Sequence, residues 1–373
     1  MAFYRHFVER VDFEIAVATN SSQFSLKSPP YPVTFFGPSP IVQRLFRTRF
    51  LPWLYGLHSL IAAGRIPKRV WRAAKEFKPD CIFTIAGSWD YSALVAQGVA
   101  RRLKVPLVAS FNDWFDYGWF PAHPIFRPAI ERRFRRFYND ADLALCTCEG
   151  MREALGPHRN AHILYPIGSL LPEPAPSFVP LTRNGRRFVV AFAGNLGDWY
   201  GPMLEQLVRT AKAQRNRLEF RFYGDNPTWS GDFHIHARAT GMYRGHLPFD
   251  QLSAEMVQVD MLILPMGFDA HCAQVERTSF KSKFLDYLAF QRPIFVWGPA
   301  YSSAVRTASE FDSAECCTLA GEAEALAVIE RLVADPARRR ALVANARRMY
   351  EDRFHPHKIH DGLVRKIQAL LAK

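Results

Sequence analysis

The stretch ERTSFKSKFLDYLAFQRPIFVWGP (276–299) shows most directly how this chain folds, because a helix and a strand follow one another within it. The spacing of its apolar residues predicts a helix at about 280–290, and the apolar run RPIFVWG (292–298) predicts a strand. Only a short polar joint separates the two. Helices that alternate with apolar strands in this way are typical of a parallel, doubly wound sheet.

The beginning of this predicted helix is suited to an anion. Ser279 through Ser282 can open a helix, so that free backbone N–H groups and the helix dipole point at whatever precedes it. Lys281 or Lys283 would add a full positive charge, and Asp286 lies one turn further on, close enough to bind the hydroxyls of a ribose. This arrangement predicts a clamp for a nucleoside diphosphate. An ordinary amphipathic helix with a polar cap is the alternative.

The same alternation of strands and helices runs through both halves of the chain. Strands are predicted at 13–20, 79–87, 105–111, 142–150 and 161–168, and again at 187–195, 218–225, 242–245 and 260–267. Between the halves, LLPEPAPSFVPLTRNGRR (170–187) contains four prolines and has no helical period, which predicts a linker. Ligands in such sheets bind beyond the carboxyl ends of the strands.

The fold class predicted from this pattern is α/β, with two Rossmann-like doubly wound domains that face a cleft. The predicted parts are an N-terminal domain at 1–170, a linker at 171–186, a C-terminal domain at 187–355, and a last helix at about 356–373 that packs back on the first domain.

Composition argues against several classes of protein. Hydrophobic residues make up 49% of the 373 residues, which is enough for two buried cores. The longest apolar candidate, Leu51–Gly64, is too short to span a membrane and is interrupted by Pro52, Gly56 and His58. No signal peptide is evident in MAFYRHFVERVDFE, so a cytoplasmic location is expected. The six cysteines and the histidines lack ligand spacing, and no metal site is predicted.

Basic residues are concentrated in two segments of this chain, whose formal net charge is +13. Between Arg44 and Lys78 there are nine Lys or Arg against one acid, interleaved with large apolar residues, and 127–138 carries five arginines and one glutamate. Basic residues mixed with aromatic ones suit an anionic membrane surface. The alternative is that the two basic segments are ordinary helix faces exposed to solvent. Nucleic acid is not a predicted partner, because no recognised nucleic-acid-binding signature is present.

A second loop with the layout of a phosphate or sugar site is AFAGNLGDWYGP (191–202). It places glycines between a predicted strand and a predicted helix, which lets the backbone approach a ligand closely. It matches neither the dinucleotide fingerprint nor a P-loop. The interpretation of this loop as a ligand site is strengthened because it and the predicted diphosphate clamp both follow strands of one domain.

Together these motifs make the C-terminal half resemble the donor domain of glycosyltransferase family 4 and its GT-B relatives. The resemblance rests on FAGNLG (192–197), YGDN (223–226), DMLILP (260–265) and the stretch SFKSKFLDYLAFQRPIFVWGP (279–299). It covers roughly 185–350 well and 79–168 more loosely. It implies the two-domain GT-B fold, with an acceptor-side N-terminal domain and a C-terminal domain for a nucleotide-sugar donor.

For the donor, the resemblance implies that Lys283 and the N–H groups around Ser282 hold the diphosphate and that Asp286 binds the ribose hydroxyls. The remaining residues that it places at the donor are Gly194, Asn195 and Gly197 against the diphosphate or sugar, Arg244, Gly245 and His246 near the base, and His271 and Glu276, in the loop before the helix, at hydroxyls of the donor sugar.

For catalysis, the residues predicted besides Glu276 are Asp113 and then Asp116 of FNDWFDY, which follow a predicted strand. Either would contact the acceptor or act as its base. A helix cap is the alternative role for Asp113.

The sequence also departs from the family pattern. The pair of glutamates eight residues apart is absent, since Thr278 stands eight residues before Asp286, and the loop GNLGDWYG contains no base. Lys281 stands where proline is usual in the related subgroup. The first strand of the N-terminal domain and its glycine-rich loop are expected to be missing.

The function predicted from these features is transfer of a sugar from a UDP- or GDP-type nucleotide sugar to a hydroxyl acceptor, without a cofactor or metal. The expected acceptor is a surface polysaccharide or a lipid-linked glycan at the inner membrane face. A nucleotide-sugar epimerase on the same fold is one alternative. A non-catalytic binding or scaffold protein of GT-B type is the other.

Overall fold

The computed structural model describes residues 2–7, 12–20, 30–37, 44, 47–61, 64–86, 91–116, 120–171 and 187–372. The chain divides into unit 1, which comprises Met1–Pro166 and Ile359–Lys373, and unit 2, which comprises Ile167–Lys358. The predicted linker at 171–186 lies outside the described residues except for its first residue, Leu171.

In chain order the strands are β1 (Val17–Thr19), β2 (Val33–Phe35), β3 (Ile82–Ala86), β4 (Leu107–Phe111), β5 (Leu143–Cys146), β6 (Ala161–Ile163), β7 (Phe188–Ala193), β8 (Leu218–Tyr223), β9 (Tyr243–Gly245), β10 (Met261–Pro265), β11 (Ile294–Trp297) and β12 (Glu315–Cys317). The helices are α1 (Ala2–Phe7), α2 (Leu51–Ile61), α3 (Lys68–Phe77), α4 (Tyr91–Leu103), α5 (Arg127–Asp140), α6 (Glu149–Leu155), α7 (Tyr200–Ala213), α8 (Gly231–Ala239), α9 (Phe249–Met256), α10 (Ala273–Thr278), α11 (Ser282–Leu288), α12 (Ser303–Phe311), α13 (Glu322–Ala334), α14 (Pro336–Met349) and α15 (Pro356–Leu371). A 3₁₀ turn at Pro124–Phe126 precedes α5, and a π-helical turn at Tyr350–Phe354 follows α14.

Unit 1 is built on a parallel sheet of four strands in the order β3-β4-β5-β6, and a separate parallel pair joins β1 to β2. All residues of β4 and β5 are buried, as expected for strands covered on both faces. The last helix, α15, contributes Leu363 and Ile367 to the same core as Val108 and Leu145 of the sheet. The C-terminal segment of the chain therefore completes the core of unit 1.

Unit 2 is built on a parallel sheet of six strands in the order β12-β11-β10-β7-β8-β9. Sequence order runs outward in both directions from the neighbouring strands β7 and β10, so the doubly wound order reverses between them. Loops diverge at such a switch point and leave a crevice beyond the carboxyl ends of the strands. The topology therefore places the ligand position of this sheet at the ends of β7 and β10.

The parallel α/β architecture predicted from the sequence is confirmed, while several local predictions need correction. The strand predicted at 13–20 is reduced to β1, and β2 and β12 were not predicted. Leu51–Ile61 forms one continuous helix despite Pro52 and Gly56. Proline is tolerated there because it lies in the first turn, and Gly56 leaves room for the ring of Phe126, whose Cδ2 would lie 2.1 Å from an added Cβ. No helix in the described part of the chain is both long and apolar enough to cross a membrane.

Candidate functional site

The loops that follow β7 and β10 bring glycine backbone and charged side chains to the switch point of unit 2. Strand β7 ends at Ala193 and continues into Gly194, while β10 ends at Pro265 and continues through Met266 into Gly267. Helices α10 and α11 follow the β10 loop, and the start of α11 directs the side chains of Lys281 and Lys283 at the β7 loop. The site is therefore formed by chain segments about 75 to 90 residues apart, which the sheet order makes neighbours.

Lys283 lies directly against Gly194. A Cβ added at Gly194 would lie 2.1 Å from Lys283 Cε and 2.3 Å from Nζ, so a side chain here would displace the lysine from its present position, and the φ of 152° also favours glycine. The ammonium nitrogen lies 4.9 Å from the ring centre of Phe192 and 4.7 Å from that of Tyr200. It pairs with no carboxylate among the described residues.

This environment lowers the pKa of Lys283 from its ordinary value to about 8. Burial is the main cause, and the positive charge of Lys281 lowers the pKa further. The carboxylates of Asp286 and Glu276 act in the opposite direction and are the weaker influence. A partly buried ammonium group that pairs with no carboxylate in the described part of the chain is available to an incoming anion.

The backbone of the β7 loop is held by the neighbouring strand ends. Gly194 donates its N–H to the carbonyl oxygen of Tyr223 at 2.9 Å, and Gly224 donates to the carbonyl oxygen of Gly245 at 2.8 Å. A Cβ at Gly224 would lie only 1.7 Å from the Gly194 carbonyl oxygen, and its φ of 139° is one that side-chain-bearing residues rarely adopt. The ends of β7, β8 and β9 are thus in contact through three glycines.

Glu276 and Lys281 form an ion pair next to this loop. The Glu276 side chain is 0% exposed, that of Lys281 is 10% exposed, and Oε2 lies 3.3 Å from Nζ. The other carboxylate oxygen, Oε1, accepts the N–H of Gly267 at 3.0 Å. Burial raises the pKa of Glu276, and Lys281 and the Gly267 N–H counteract that effect.

The position of Glu276 corrects the prediction that it lies in a loop. Residues Ala273–Thr278 form the helix α10, and Glu276 donates its N–H to the carbonyl oxygen of Cys272. Burial of Val275 and Thr278 on the same short helix explains why a segment with polar residues becomes ordered. His271, by contrast, is exposed in the turn before α10, where its ring lies 6.4 Å from that of Trp199.

Aromatic rings of the β7 loop line both lysines. Lys281 Nζ lies 5.6 Å from the ring centre of Trp199 and 6.0 Å from that of Tyr200. Tyr200 is therefore in contact with Lys281 as well as with Lys283. Ring faces attract ammonium groups and desolvate them at the same time.

The start of the predicted helix also differs in detail from its prediction. The helix α11 begins at Ser282, which is exposed, and Lys281 occupies its N-cap without a side-chain capping bond. Ser279 instead ends α10, where it is buried and its carbonyl oxygen accepts the Ser303 hydroxyl at 2.6 Å. Ser282 and Lys283 remain at the helix start, but Ser279 does not.

Asp286 and Tyr287 of α11 fix this helix to the rest of unit 2. Asp286 Oδ1 accepts the N–H of Ser169 at 2.9 Å and its hydroxyl at 2.8 Å. Tyr287 donates its hydroxyl to the Ala193 carbonyl oxygen and accepts the Ala193 N–H. These bonds anchor α11 at the last residue of β7, directly before Gly194.

The other residues predicted at the donor lie at the same edge of the sheet with different exposure. Asn195 is exposed, and its Oδ1 accepts the N–H of the buried Gly197 at 3.1 Å. Arg244 and His246 flank Gly245 at the end of β9 and are both exposed. The His246 ring lies 3.2 Å from an Asp225 carboxylate oxygen, which follows β8.

In unit 1, Asp113 and Asp116 follow β4, as predicted, and both are partly buried. Asp116 forms an ion pair with Arg127, the first residue of α5. Burial raises the pKa of Asp116, and the Arg127 charge counteracts it. The rings of Trp114 and Phe115 are buried and hold this segment in the core of unit 1.

Several residues of the site were not predicted from the sequence. Gly224 and Gly267 lie at strand ends in the motifs YGDN and LPMG, so the position of glycine after a strand could have identified them. Trp199 and Ser169 carried no such signal. Among the described residues, no group of three or more His, Cys, Asp or Glu side chains could hold a metal ion.

Comparison with known proteins places this geometry in a family context. Residues 5–165 match the family model for Glycosyltransferase Family 4. No curated protein matches the chain in sequence.

Similar solved structures cover most of the chain. Anabaena Alr3699/HepE in complex with UDP-glucose is 14% identical, covers 91% of this chain and 86% of its own, and has a TM-score of 0.61. Sucrose-phosphate synthase from Thermosynechococcus elongatus is 14% identical over 93% of this chain and 82% of its own, with a TM-score of 0.59. The α,α-trehalose 6-phosphate synthase from Burkholderia multivorans is 13% identical over 89% and 80%, with a TM-score of 0.58.

At these identities the structural likeness establishes the fold, and the family match adds the enzyme class. The resemblance to glycosyltransferase family 4, the GT-B fold class and the assignment as a glycosyltransferase are confirmed. The family match falls on the N-terminal part of the chain, for which the sequence motifs were the looser ones.

Proposed function

We propose that this glycosyltransferase of the GT-B type transfers a sugar from a nucleoside diphosphate sugar to a hydroxyl group of its acceptor. The observation that supports this most strongly is the partly buried Lys283 side chain, which lies against Gly194 at the switch point of unit 2. Alr3699/HepE, which shares the fold, is described in complexes with UDP and UDP-glucose, and this favours a UDP-type donor over a GDP-type donor.

Lys281 and Lys283 would carry the charge of the diphosphate. Negative charge builds up on the diphosphate as the bond to the sugar breaks, and fixed cations in a water-poor site stabilise it without reorganisation. The β7 loop GNLGDWYG has no base of its own, whereas both lysines reach it from the start of α11, Lys281 at its N-cap and Lys283 in its first turn, and share the Tyr200 ring. We therefore propose transfer that depends on these lysines and not on a metal ion.

The remaining donor contacts follow from the same geometry. Asp286 lies one turn after the start of α11, and its carboxylate is a group suited to ribose hydroxyls. Arg244 and His246 are exposed at the end of β9, where a base could contact them. Closure of the site around the donor would exclude water and limit hydrolysis of the nucleotide sugar.

For the acceptor we propose a surface polysaccharide or a lipid-linked glycan, with Asp113 contacting the reacting hydroxyl or acting as its base. Asp113 is partly buried at the carboxyl end of β4, a position at which parallel sheets bind ligands. Asp116 is the weaker choice because it is already paired with Arg127. A cytoplasmic protein that associates peripherally with the inner membrane face would meet such an acceptor.

The experiment that tests the donor proposal is thermal unfolding in the presence of UDP, GDP, ADP and CDP, each with and without EDTA. A ligand at a hundred times its Kd stabilises the folded state by about 2.7 kcal/mol, which raises the Tm by several degrees. A shift with one nucleotide that EDTA leaves unchanged, followed by release of that nucleotide from its sugar conjugate, supports the proposal. Folded protein that shifts with no nucleotide contradicts it and favours a non-catalytic role.

A further inference from the structure

Helix α2 of unit 1 exposes a continuous apolar face. The side chains of Phe50, directly before the helix, and of Trp53, Leu57 and Ile61 on it are 54%, 48%, 50% and 66% exposed. Their spacing of three, four and four residues places them within an arc of about 80° on a helix of 3.6 residues per turn. Single exposed apolar residues are ordinary on protein surfaces, but four in one row form a patch that calls for a partner.

The opposite side of α2 is firmly attached to unit 1, so the exposed row is held in place. Tyr55, Gly56 and Ser59 are buried, and Gly56 lies against the ring of Phe126. The guanidinium group of Arg133 on α5 donates to the last carbonyl oxygens of the helix, those of Ser59 and Leu60.

The turn before α5 holds the other end of the helix. Trp53 stacks on His123 with ring centres 4.1 Å apart, and His123 donates its N–H to the Pro52 carbonyl oxygen at 2.9 Å. The tryptophan thus has one face on the protein, while nearly half of its surface is exposed. In the same turn, Ile125 is 64% exposed and adds to the apolar surface.

Both ends of α2 are flanked by exposed basic residues. Arg47 and Arg49 precede the helix, and Arg65, Lys68 and Arg69 follow it. The sequence contains no Asp or Glu between Glu14 and Glu76, so no acidic residue of this stretch offsets its positive charge. An apolar row bordered by cations is complementary to the surface of an anionic bilayer, whose headgroups attract the cations and whose acyl boundary accepts the row.

We propose that α2 is a membrane-docking element that lies in the plane of an anionic lipid surface and inserts the row Phe50, Trp53, Leu57 and Ile61. The helix has 11 residues, far fewer than the roughly 20 that a spanning helix requires, so it rests in the interface and does not cross the bilayer. This identifies the surface behind the peripheral membrane association included in the proposed function. Charge complementarity distinguishes this occupant from a second copy of the chain, which would bring the same positive charge to the contact.

The test is flotation of the full chain with vesicles of phosphatidylcholine containing one third phosphatidylglycerol, compared with phosphatidylcholine alone. The double variant Leu57→Glu/Ile61→Glu should lower the partition coefficient by about tenfold or more, because it removes the inserted apolar groups and adds like charge to the lipid. The matched control is Ile235→Glu/Leu319→Glu, which makes the same change at residues 72% and 60% exposed on unit 2, and it should retain most of the binding.

The charge contribution is measured separately. Arg47→Gln/Arg49→Gln should weaken binding to the anionic vesicles by about fivefold per residue, whereas Lys212→Gln/Arg340→Gln, at exposed positions of unit 2, should weaken it less. High salt should reproduce the loss, since the Debye length falls from about 8 Å at physiological ionic strength to about 3 Å at 1 M.

Three results would overturn the proposal. The first is that the wild type binds neutral and anionic vesicles equally. The second is that the Leu57→Glu/Ile61→Glu variant binds vesicles as well as the wild type does. The third is that the wild type is a dimer which this variant converts to a monomer, because that result would assign the face to a second copy of the chain. Nucleotide-induced stabilisation of the same samples reports on unit 2 independently. If the wild type binds nucleotide but not vesicles, only the docking surface is refuted. If it binds vesicles but not nucleotide, only the donor proposal is refuted.

Discussion

Replacement of Lys283 by methionine should make the protein more stable and worse at binding its nucleotide. The lysine is partly buried, with its ammonium group against the rings of Phe192 and Tyr200, and no carboxylate among the described residues pairs with it. Methionine has nearly the same length, adapts to irregular apolar surroundings and makes favourable contacts with aromatic rings. The substitution therefore removes the charge and leaves the packing largely intact.

The gain in stability can be worked from the pKa. A value of about 8 in place of 10.5 means that the charged form is disfavoured by about 3 kcal/mol in the folded state at neutral pH. Contact of the ammonium group with the two rings offsets about 1–2 kcal/mol of that penalty. We expect Lys283→Met to raise the free energy of unfolding by about 1–2 kcal/mol, which corresponds to a Tm increase of about 2–8 °C for a unit of this size.

The loss in binding comes from the charge-assisted contact with the diphosphate. Hydrogen bonds to charged groups contribute about 1.5–3 kcal/mol, so the Kd for the nucleotide should rise about ten- to hundredfold. Isothermal titration calorimetry with the nucleotide identified in the thermal screen measures the Kd, and calorimetric unfolding of the ligand-free protein measures the Tm. The matched control is Lys212→Met on α7, an exposed lysine, which should change neither quantity.

The combination of opposite signs is the informative result. A residue with a purely structural role would lower the Tm and the affinity together when replaced. If Lys283→Met lowers the Tm, the ammonium group is stabilising in the folded state and the burial argument is wrong. If the Kd is unchanged while the Tm rises, the group is buried as described but does not bind the diphosphate.

Four further predictions follow from the same site. Nucleotide binding by the wild type should weaken about tenfold between pH 7 and 9, because the lysine with a pKa of about 8 loses the proton that binding requires, and the methionine variant should lose this dependence; titration calorimetry at both pH values checks it. Stability of the ligand-free protein should rise over the window from pH 8 to 10.5, where the unfolded state still holds the proton that the folded state has released. Gly224→Ala should lower the free energy of unfolding by about 2–4 kcal/mol, since its Cβ would lie 1.7 Å from the Gly194 carbonyl oxygen, whereas Gly231→Ala, with open space around it, should stay within about 1 kcal/mol of wild type in urea unfolding. Glu276→Gln should lower the Tm by several degrees, because it leaves Lys281 without its buried partner, and should tighten nucleotide binding severalfold by freeing that charge; a looser complex would contradict the assignment of Lys281 to the diphosphate.

The sequence predicts the layers of this fold well because apolar periodicity reports which segments are buried. Strands β8 and β11 and helix α4 fall where the apolar runs lie. Short edge strands are not predicted in this way. Strand β12 has only three residues and includes Glu315, so it has no apolar run long enough to indicate a strand. Pro52 and Gly56 predict interruptions of the apolar segment, but the helix continues through both. Pro52 lies in the first turn, where proline is tolerated, and Gly56 makes room for the ring of Phe126.

The candidate site was predicted only where its chemistry is local. Lys283 and Asp286 share one short helix, so their proximity can be inferred from spacing. The contact between Gly194 and Gly224 joins residues 30 apart and depends on β7 and β8 being neighbours in the sheet. Nothing in the polar segment around Glu276 indicates that its carboxylate is fully buried, because that burial depends on the helix α10 closing over Gly267.

The origin of the cations explains how this site can function without a base in its glycine loop. Lys281 is paired with Glu276, whereas Lys283 pairs with no carboxylate in the described parts of the chain, so of the two lysines only Lys283 is left with an unpaired charge there. Two free cations in contact with the same Tyr200 ring would repel each other in a poorly solvated site. A diphosphate could attract Lys281 away from Glu276, whose pKa is already raised by burial, so that the carboxylate can take up a proton as its partner leaves. The ion pair thus limits repulsion between the two lysines and would release Lys281 only when a diphosphate is there to bind it.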